Sequence, residues 1–223
     1  MNKRGAEMSV RLTISSKNYS SWSLRGWLMM KLSGIPFEEV VVDPQNVSAR
    51  AEILLLSPSI LVPFLNYEGV KIWDTLAIGE FLNEIAPQAK LLPSDRLRRA
   101  RCRSICGEMH SGFNSLRSAL PMNLKSHFPN FKVWSKAQAD IERVTQIWRE
   151  CLAEFGGPYL FDEISMADAM YAPVATRFRT YDVKLDPVCQ AYCDQIFAWP
   201  AMQEWIAQAQ EEREEIEELE VEF

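Results

Sequence analysis

No stretch of this 223-residue chain approaches the roughly 20 consecutive apolar residues that a membrane-spanning helix needs. The opening segment, MNKRGAEMSV, also lacks the apolar core of a secretory leader. The expectation is a cytoplasmic protein with no membrane partner and a loose N-terminal tail over residues 1–9. Basic charge is scarce: 24 Lys and Arg stand against 30 Asp and Glu, too few for a nucleic-acid-binding surface. The run RLRRARCR at residues 96–103 therefore reads as an exposed helix face, with ion pairs across a dimer as one use for it. Disulfides are not expected either. The five cysteines, Cys102, Cys106, Cys151, Cys189 and Cys193, are odd in number and come with no export signal, which argues for reduced thiols. Cys102, Cys106 and His110 fall at i, i+4 and i+8, a spacing that could hold zinc. A fourth ligand is missing nearby, so packing thiols and no metal are expected.

About half the residues are hydrophobic and a quarter charged, the balance of a globular chain able to bury a sizeable core. The net charge of −6 is more than accounted for by residues 211–223, which hold eight Glu and one Arg, so the body is nearly neutral. That acidic segment reads as a solvated helix end or tail, with a partner-binding tail as the other reading.

Residues 10–15, VRLTIS, read as a strand. After the polar turn SKNYSS, Leu24, Trp27, Leu28 and Leu32 recur at helical spacing, and Gly34 suits a C-cap. FEEVVVD, residues 37–43, is a Val-rich second strand. Residues 44–57 read as irregular or weakly helical. ILVPFLNYEGVKIWD has two apolar runs flanking Glu68 and Gly69, a hairpin pattern. Pro63 falls where the first of those strands begins. TLAIGEFLNEIA is a helix ended by Pro87. The first 88 residues thus read β-α-β-(α)-β-β-α, a mixed-sheet pattern. After the linker QAKLLPSD, everything from Arg96 to Gln210 reads as helix. Ser165 and Asp168 have capping-box spacing at one of its starts.

Four motifs together resemble the soluble glutathione transferase family: NYSSWSLR after the first strand, SPSILVPFL around Pro63, WDTLAIGEFL, and SMADAMYAPV in the helical half. The resemblance runs from Leu12 to Gln210, and SSWSLR looks like the active-site run of the serine-type classes, zeta especially. It implies an α/β thioredoxin-like domain over residues 10–88, an all-helical domain over 96–210, and tails at 1–9 and 211–223. It also implies an enzyme with glutathione as co-substrate, a small, apolar electrophile as second substrate, and a homodimer. A zeta-type isomerase is one alternative, and a non-catalytic glutathione-binding scaffold is another.

Site residues follow by the same resemblance. The family's catalytic serine lies fourteen residues before the glycine closing the first helix, as Ser20 does before Gly34. A free thiol is mostly protonated at neutral pH, and thiolate is the nucleophile. A hydroxyl at a helix N-terminus can donate to the sulfur while the helix dipole favours its charge. Ser20 or Ser21 as a mere helix cap is the rival reading, and Tyr19 is a rival donor. Pro63 matches the family's cis-proline, which lets Val62 pair with the peptide like an added strand. The rival there is an ordinary edge-strand proline. Asp74 and Thr75 match the pair that holds the γ-glutamyl end; a simple helix cap is compatible with that. Trp22, His110, Phe113, Arg117 and Met122 lie near the second-substrate pocket, although core packing would account for each equally well. Ile60 and Leu61 depart from the family pattern before Val62, and Arg50 is the candidate left for the glycyl carboxylate. No Cys lies in NYSSWS, so the thiol–disulfide exchange of Cys-type members is not expected.

Overall fold

The computed structural model of the chain describes residues 10–42 and 61–212. Four short strands, β1 (Arg11–Ile14), β2 (Glu38–Val41), β3 (Phe64–Tyr67) and β4 (Val70–Trp73), form one sheet in the order β2-β1-β3-β4. β2 is parallel to β1, while β3 is antiparallel to both β1 and β4. A parallel pair needs a crossover, and α1 (Ser21–Ser33) supplies it. The two N-terminal strands are each four residues long, shorter than the apolar runs that announce them. Leu24, Trp27 and Leu28 of α1 are buried as their spacing predicts, but so are Arg25, Met29 and Met30, so the helix is enclosed on nearly all sides. Gly34 ends it in the left-handed conformation, φ 71°.

Glu68 and Gly69 both have positive φ, 52° and 85°, as a two-residue hairpin turn requires. Pro63 immediately precedes β3 and is joined to Val62 by a cis peptide bond. The weakly helical reading of residues 44–57 falls outside the described residues. α2 (Thr75–Ile85) follows β4, and a 3-10 turn, Pro87–Ala89, closes the sheet half.

The helical half contains α3 (Arg96–Ser111), α4 (Asn114–Ala119), α5 (Ser135–Phe155), α6 (Met166–Thr180), α7 (Pro187–Ala198) and α8 (Pro200–Glu211). The expectation of helix throughout residues 96–210 is corrected most in two stretches, besides the short link at residues 181–186. Residues 120–134 contain no helix. Pro121 and Pro129 there lack the N–H a helix interior uses, and Phe128 N donates instead to Thr180 O at 2.7 Å. Residues 156–165 form a turn with two isolated bridges, Tyr159 to Asp162 and Phe161 to Glu163.

α6 is buried along almost its whole length and packs against α1, α3 and α7. Its capping box forms as its spacing predicts: Ser165 N and Oγ donate to Asp168 Oδ2 at 2.8 and 3.0 Å. Leu160 N and the Tyr192 hydroxyl donate to the other oxygen at 3.1 and 3.0 Å. Burial pushes the Asp168 carboxyl up to about 6, against the opposing pull of those donors.

The arginine run makes its contacts within the chain. Arg103 pairs with Glu80 at 2.7 Å and Arg101 with Glu150 at 2.8 Å, while Arg98 lies over the Phe155 ring. All five cysteines are buried free thiols. Burial raises Cys151 to about 11 and Cys189 to about 12. Among the described residues, no cluster of three or more His, Cys, Asp and Glu is placed to hold a metal, and no helix is long and apolar enough to cross a membrane.

Candidate active site

The loop from β1 to α1 delivers Ser20 to the head of α1. Its backbone is extended, φ −85° and ψ 94°, and its hydroxyl accepts from Ser23 N at 3.3 Å while donating to Ser23 Oγ at 2.8 Å. Ser20 is thus the N-cap, with a half-exposed hydroxyl at the positive end of the helix. Ser21 is buried, and its hydroxyl accepts from Arg177 Nη2 at 3.3 Å. Tyr19 is buried, with its backbone N–H donating to Ser16 Oγ at 3.3 Å.

A cleft of about 380 Å3 reaches α1 through Trp22 and is lined by Trp22, Leu61, Val62, Pro63, Trp73, Asp74, Thr75 and His110. Six of these were singled out in the sequence as site candidates and Leu61 as a departure from the family pattern; Trp73 was not noticed. A Cβ on Gly26 would come within 2.6 Å of Pro63 Cγ, so the missing side chain is what lets α1 and the cis-proline corner meet.

Asp74 holds φ 74° and ψ 132°, outside the regions a non-glycine residue prefers, at a cost of about 1–3 kcal/mol. Its Oδ1 caps α2, accepting from Leu76 N at 2.8 Å and Ala77 N at 3.4 Å. Its Oδ2 meets His110 Nε2 at 2.5 Å, which ties the sheet half to α3 across the cleft. The Thr75 hydroxyl is buried and has no hydrogen-bond partner among the described residues.

Of the other pocket candidates, Arg117 is adjacent to the cleft but Phe113 and Met122 are not. Phe113 opens α4 in the left-handed region and is buried in the core, as is Met122. The Arg117 guanidinium lies 4.8 Å from the Trp22 ring centroid and donates to the Met109 and His110 carbonyls. Arg25 lies 4.6 Å from the same ring, and His110 meets it edge-on at 5.4 Å. Arg50 and Ile60 fall outside the described residues.

Besides Trp73, two residues near the site went unnoticed in the sequence, Arg25 and Arg177. Both are buried, and with Arg117 they form a group of three neighbouring cations. Desolvation and the nearby arginines lower Arg25 well below its ordinary value, and burial with Arg117 brings Arg177 to about 10. Arg177 Nε and Nη1 and Arg117 Nε are buried without an acceptor among the described residues. Helical periodicity disguises such residues, because a lone Arg on a helix ordinarily faces solvent.

Comparison with known proteins identifies the family and the fold. Residues 19–85 match the glutathione S-transferase N-terminal domain and residues 132–208 the glutathione S-transferase C-terminal domain. A maleylacetoacetate isomerase of Rattus norvegicus is 31% identical over 171 residues, covering 75% of this chain and 77% of the relative. A glutathione transferase homologue from Burkholderia, solved with bound glutathione, superposes with a TM-score of 0.71 at 23% identity, over 92% of this chain and all of that one. A bacterial zeta-class maleylpyruvate isomerase superposes with a TM-score of 0.69 at 22% identity, over 91% of this chain and 99% of that one. The two structural likenesses speak for the fold. The chain belongs to the glutathione S-transferase family. It is an enzyme of that family, with glutathione as co-substrate.

Proposed function

We propose that the enzyme activates the thiol of glutathione through the Ser20 hydroxyl and directs the thiolate at a small electrophile in the cleft. The observation that carries this reading is the placement of Ser20 at the N-terminus of α1, two residues from Trp22, which lines the cleft. Ser20 donates to sulfur in place of Ser23 and keeps its own proton. The positive end of α1, where the Ser20 hydroxyl is half-exposed, adds a favourable field for the thiolate. Val62 offers backbone groups to the cysteinyl residue. Asp74 and the unpartnered Thr75 hydroxyl hold the γ-glutamyl end at the start of α2, and the orphaned Oγ1 fits such a ligand.

A specific observation favours one kind of electrophile. Three guanidinium groups lie behind Trp22 and Ser21, and two of them, Arg117 and Arg177, have buried nitrogens without an acceptor among the described residues, which suits an electrophile that carries a carboxylate as well as an apolar body. The relatives named maleylacetoacetate isomerase point the same way. The second reading is therefore a zeta-type isomerase, in which the thiol supplies a nucleophile that adds to and then leaves an activated double bond. A detoxifying transferase uses the same thiolate without the return step.

We propose further that the enzyme acts in the cytoplasm as a two-fold homodimer built from domains at residues 10–88 and 96–210. Exposed Leu97 on α3 suits an apolar subunit contact. Light scattering at micromolar concentration checks the dimer, and a monomer would count against it.

The test of the catalytic reading is the ultraviolet absorbance of bound glutathione thiolate against pH, in wild type and Ser20→Ala. The variant is expected to titrate about one unit higher while keeping most of its glutathione affinity. Superimposable curves would remove Ser20 from catalysis and bring Tyr19 and Ser21 forward.

A further inference from the structure

The loop that carries Ser20 is held in place by a residue almost 200 positions away in the chain. Glu212, directly after α8, sets its carboxylate against three successive loop residues. Oε1 accepts from Lys17 N at 2.6 Å, and Oε2 accepts from Asn18 N at 3.0 Å and from Ser16 Oγ at 2.7 Å. The chain of contacts continues to the helix start. Ser16 Oγ accepts from Tyr19 N at 3.3 Å, and Ser16 O accepts from Ser20 N at 3.0 Å. One carboxylate thereby fixes the turn whose last residue is Ser20.

The neighbourhood shows that this is a built contact. Lys17 is buried, pairs with Glu39 and donates to Gln208 Oε1, while its ammonium lies 5.3 Å from the Trp205 ring centroid. Trp205 Nε1 donates to Lys17 O at 2.9 Å. On the far side, Lys125 Nζ donates to the Glu212 carbonyl, and Asn18 Oδ1 accepts from Leu124 N at 2.7 Å. A carboxylate at the negative end of its own helix is unfavourably placed for that helix. Its partners are in the loop, so the loop is what it serves.

We infer that Glu212 is a positioning residue for the reaction: its carboxylate sets the Ser16–Ser20 turn and so aims the Ser20 hydroxyl at the thiol of bound glutathione. The inference rests on the proposed role of Ser20. Glu212 touches neither substrate, and it acts through geometry. Displacements of about 1 Å at a reacting group can cost up to about 100-fold in rate.

The test uses the full chain with Glu212→Ala and Glu212→Gln, and with Glu211→Ala as an exposed acidic control. Glu212→Ala is expected to lower kcat at neutral pH by about 10- to 100-fold and to raise the thiol titration of bound glutathione, with KM for glutathione changed less than about threefold. Glu212→Gln keeps one acceptor oxygen and should fall between it and wild type. It also covers the case in which Glu212→Ala does not fold. Glu211→Ala should behave as wild type. Ser20→Ala is run in parallel, and the double variant should be no worse than Ser20→Ala alone, because both changes act on one hydroxyl. If Ser20→Ala shifts the thiol titration and neither Glu212 variant does, the inference is overturned and the Ser20 reading stands. If Ser20→Ala leaves the titration unchanged, both fall together. Loss of kcat, affinity and stability in parallel would reduce Glu212 to a structural brace and overturn its positioning role.

Discussion

Asp74 and Asp168 both accept backbone hydrogen bonds at a helix start, yet their surroundings have little in common. Asp168 is fully buried, and its two oxygens receive four bonds from Leu160, Ser165 and Tyr192. Its backbone lies within a regular helix. Asp74 sits at positive φ with its side chain 40% exposed. It spends one oxygen on α2 and turns the other toward His110 at the cleft. A carboxylate saturated by its own fold has no lone pair left for a ligand. One that is strained, half-solvated and paired with a titratable partner still has one to offer, and strain kept at such a place points to use.

Breaking the buried member should cost most. Asp168→Ala leaves two backbone N–H groups and two hydroxyls without their acceptor. A stability loss of about 3–5 kcal/mol is expected by chemical denaturation, with glutathione affinity unchanged in folded protein. A loss under about 1 kcal/mol would erase the distinction.

The pH dependence sharpens it next. The folded pKa of Asp168 is raised, so the folded state holds its proton more tightly than the unfolded chain does. Its contribution to stability is fully present below about pH 4 and is lost as pH rises through about 6. That loss amounts to about 3 kcal/mol over the interval. Asp168→Asn should flatten this part of the stability profile relative to wild type, which denaturation midpoints between pH 4 and 7 would reveal. Parallel profiles would place the raised pKa in doubt.

On the other side, Asp74→Asn keeps a capping oxygen and tolerates positive φ but loses the charge. Glutathione affinity by calorimetry should fall about 10- to 150-fold, as expected for a charge-assisted contact of about 1.5–3 kcal/mol, with stability changed by less than about 1 kcal/mol. Unchanged affinity would make Asp74 as purely structural as Asp168.

The smallest effect concerns the corner where α1 meets Pro63. Gly26→Ala improves helix propensity by about 1 kcal/mol but drives a methyl into the Pro63 ring, an overpacking cost of about 1–3 kcal/mol. The net destabilisation should be about 1 kcal/mol, with KM for glutathione rising because Val62 moves with Pro63. Thermal melts and initial rates would detect both.

The sequence was most legible where a feature depends on its immediate neighbours. Gly34 closing α1, the Glu68–Gly69 turn and the Ser165–Asp168 box each follow from a few adjacent residues, and each is present. Of the residues that meet in the cleft, Trp22, Val62, Pro63, Asp74 and Thr75 lie in the quoted motifs, and His110 was named by its position near the second-substrate pocket. What escaped depends on distant partners. The arginines at 101 and 103 pair with Glu150 and Glu80, which no local pattern could announce. Phe113 and Met122 have the composition of pocket residues, but packing claims them for the core. Glu212 belongs to an acidic run that reads as solvated, yet its carboxylate contacts lie about 195 residues upstream.

That separation has a consequence for a chain made from one end. Residues 15–20 leave the ribosome early, but Trp205, Gln208 and Glu212 follow only after some 190 further residues. At about 5–20 residues per second, the loop waits on the order of ten seconds or more with its amide donors facing water. During that interval the nascent sheet half carries Ser20 on an unanchored turn. On the proposed role of Ser20, thiol activation is deferred until the last helix docks, and a chain interrupted before α8 would carry the motif without the contacts that Glu212 supplies.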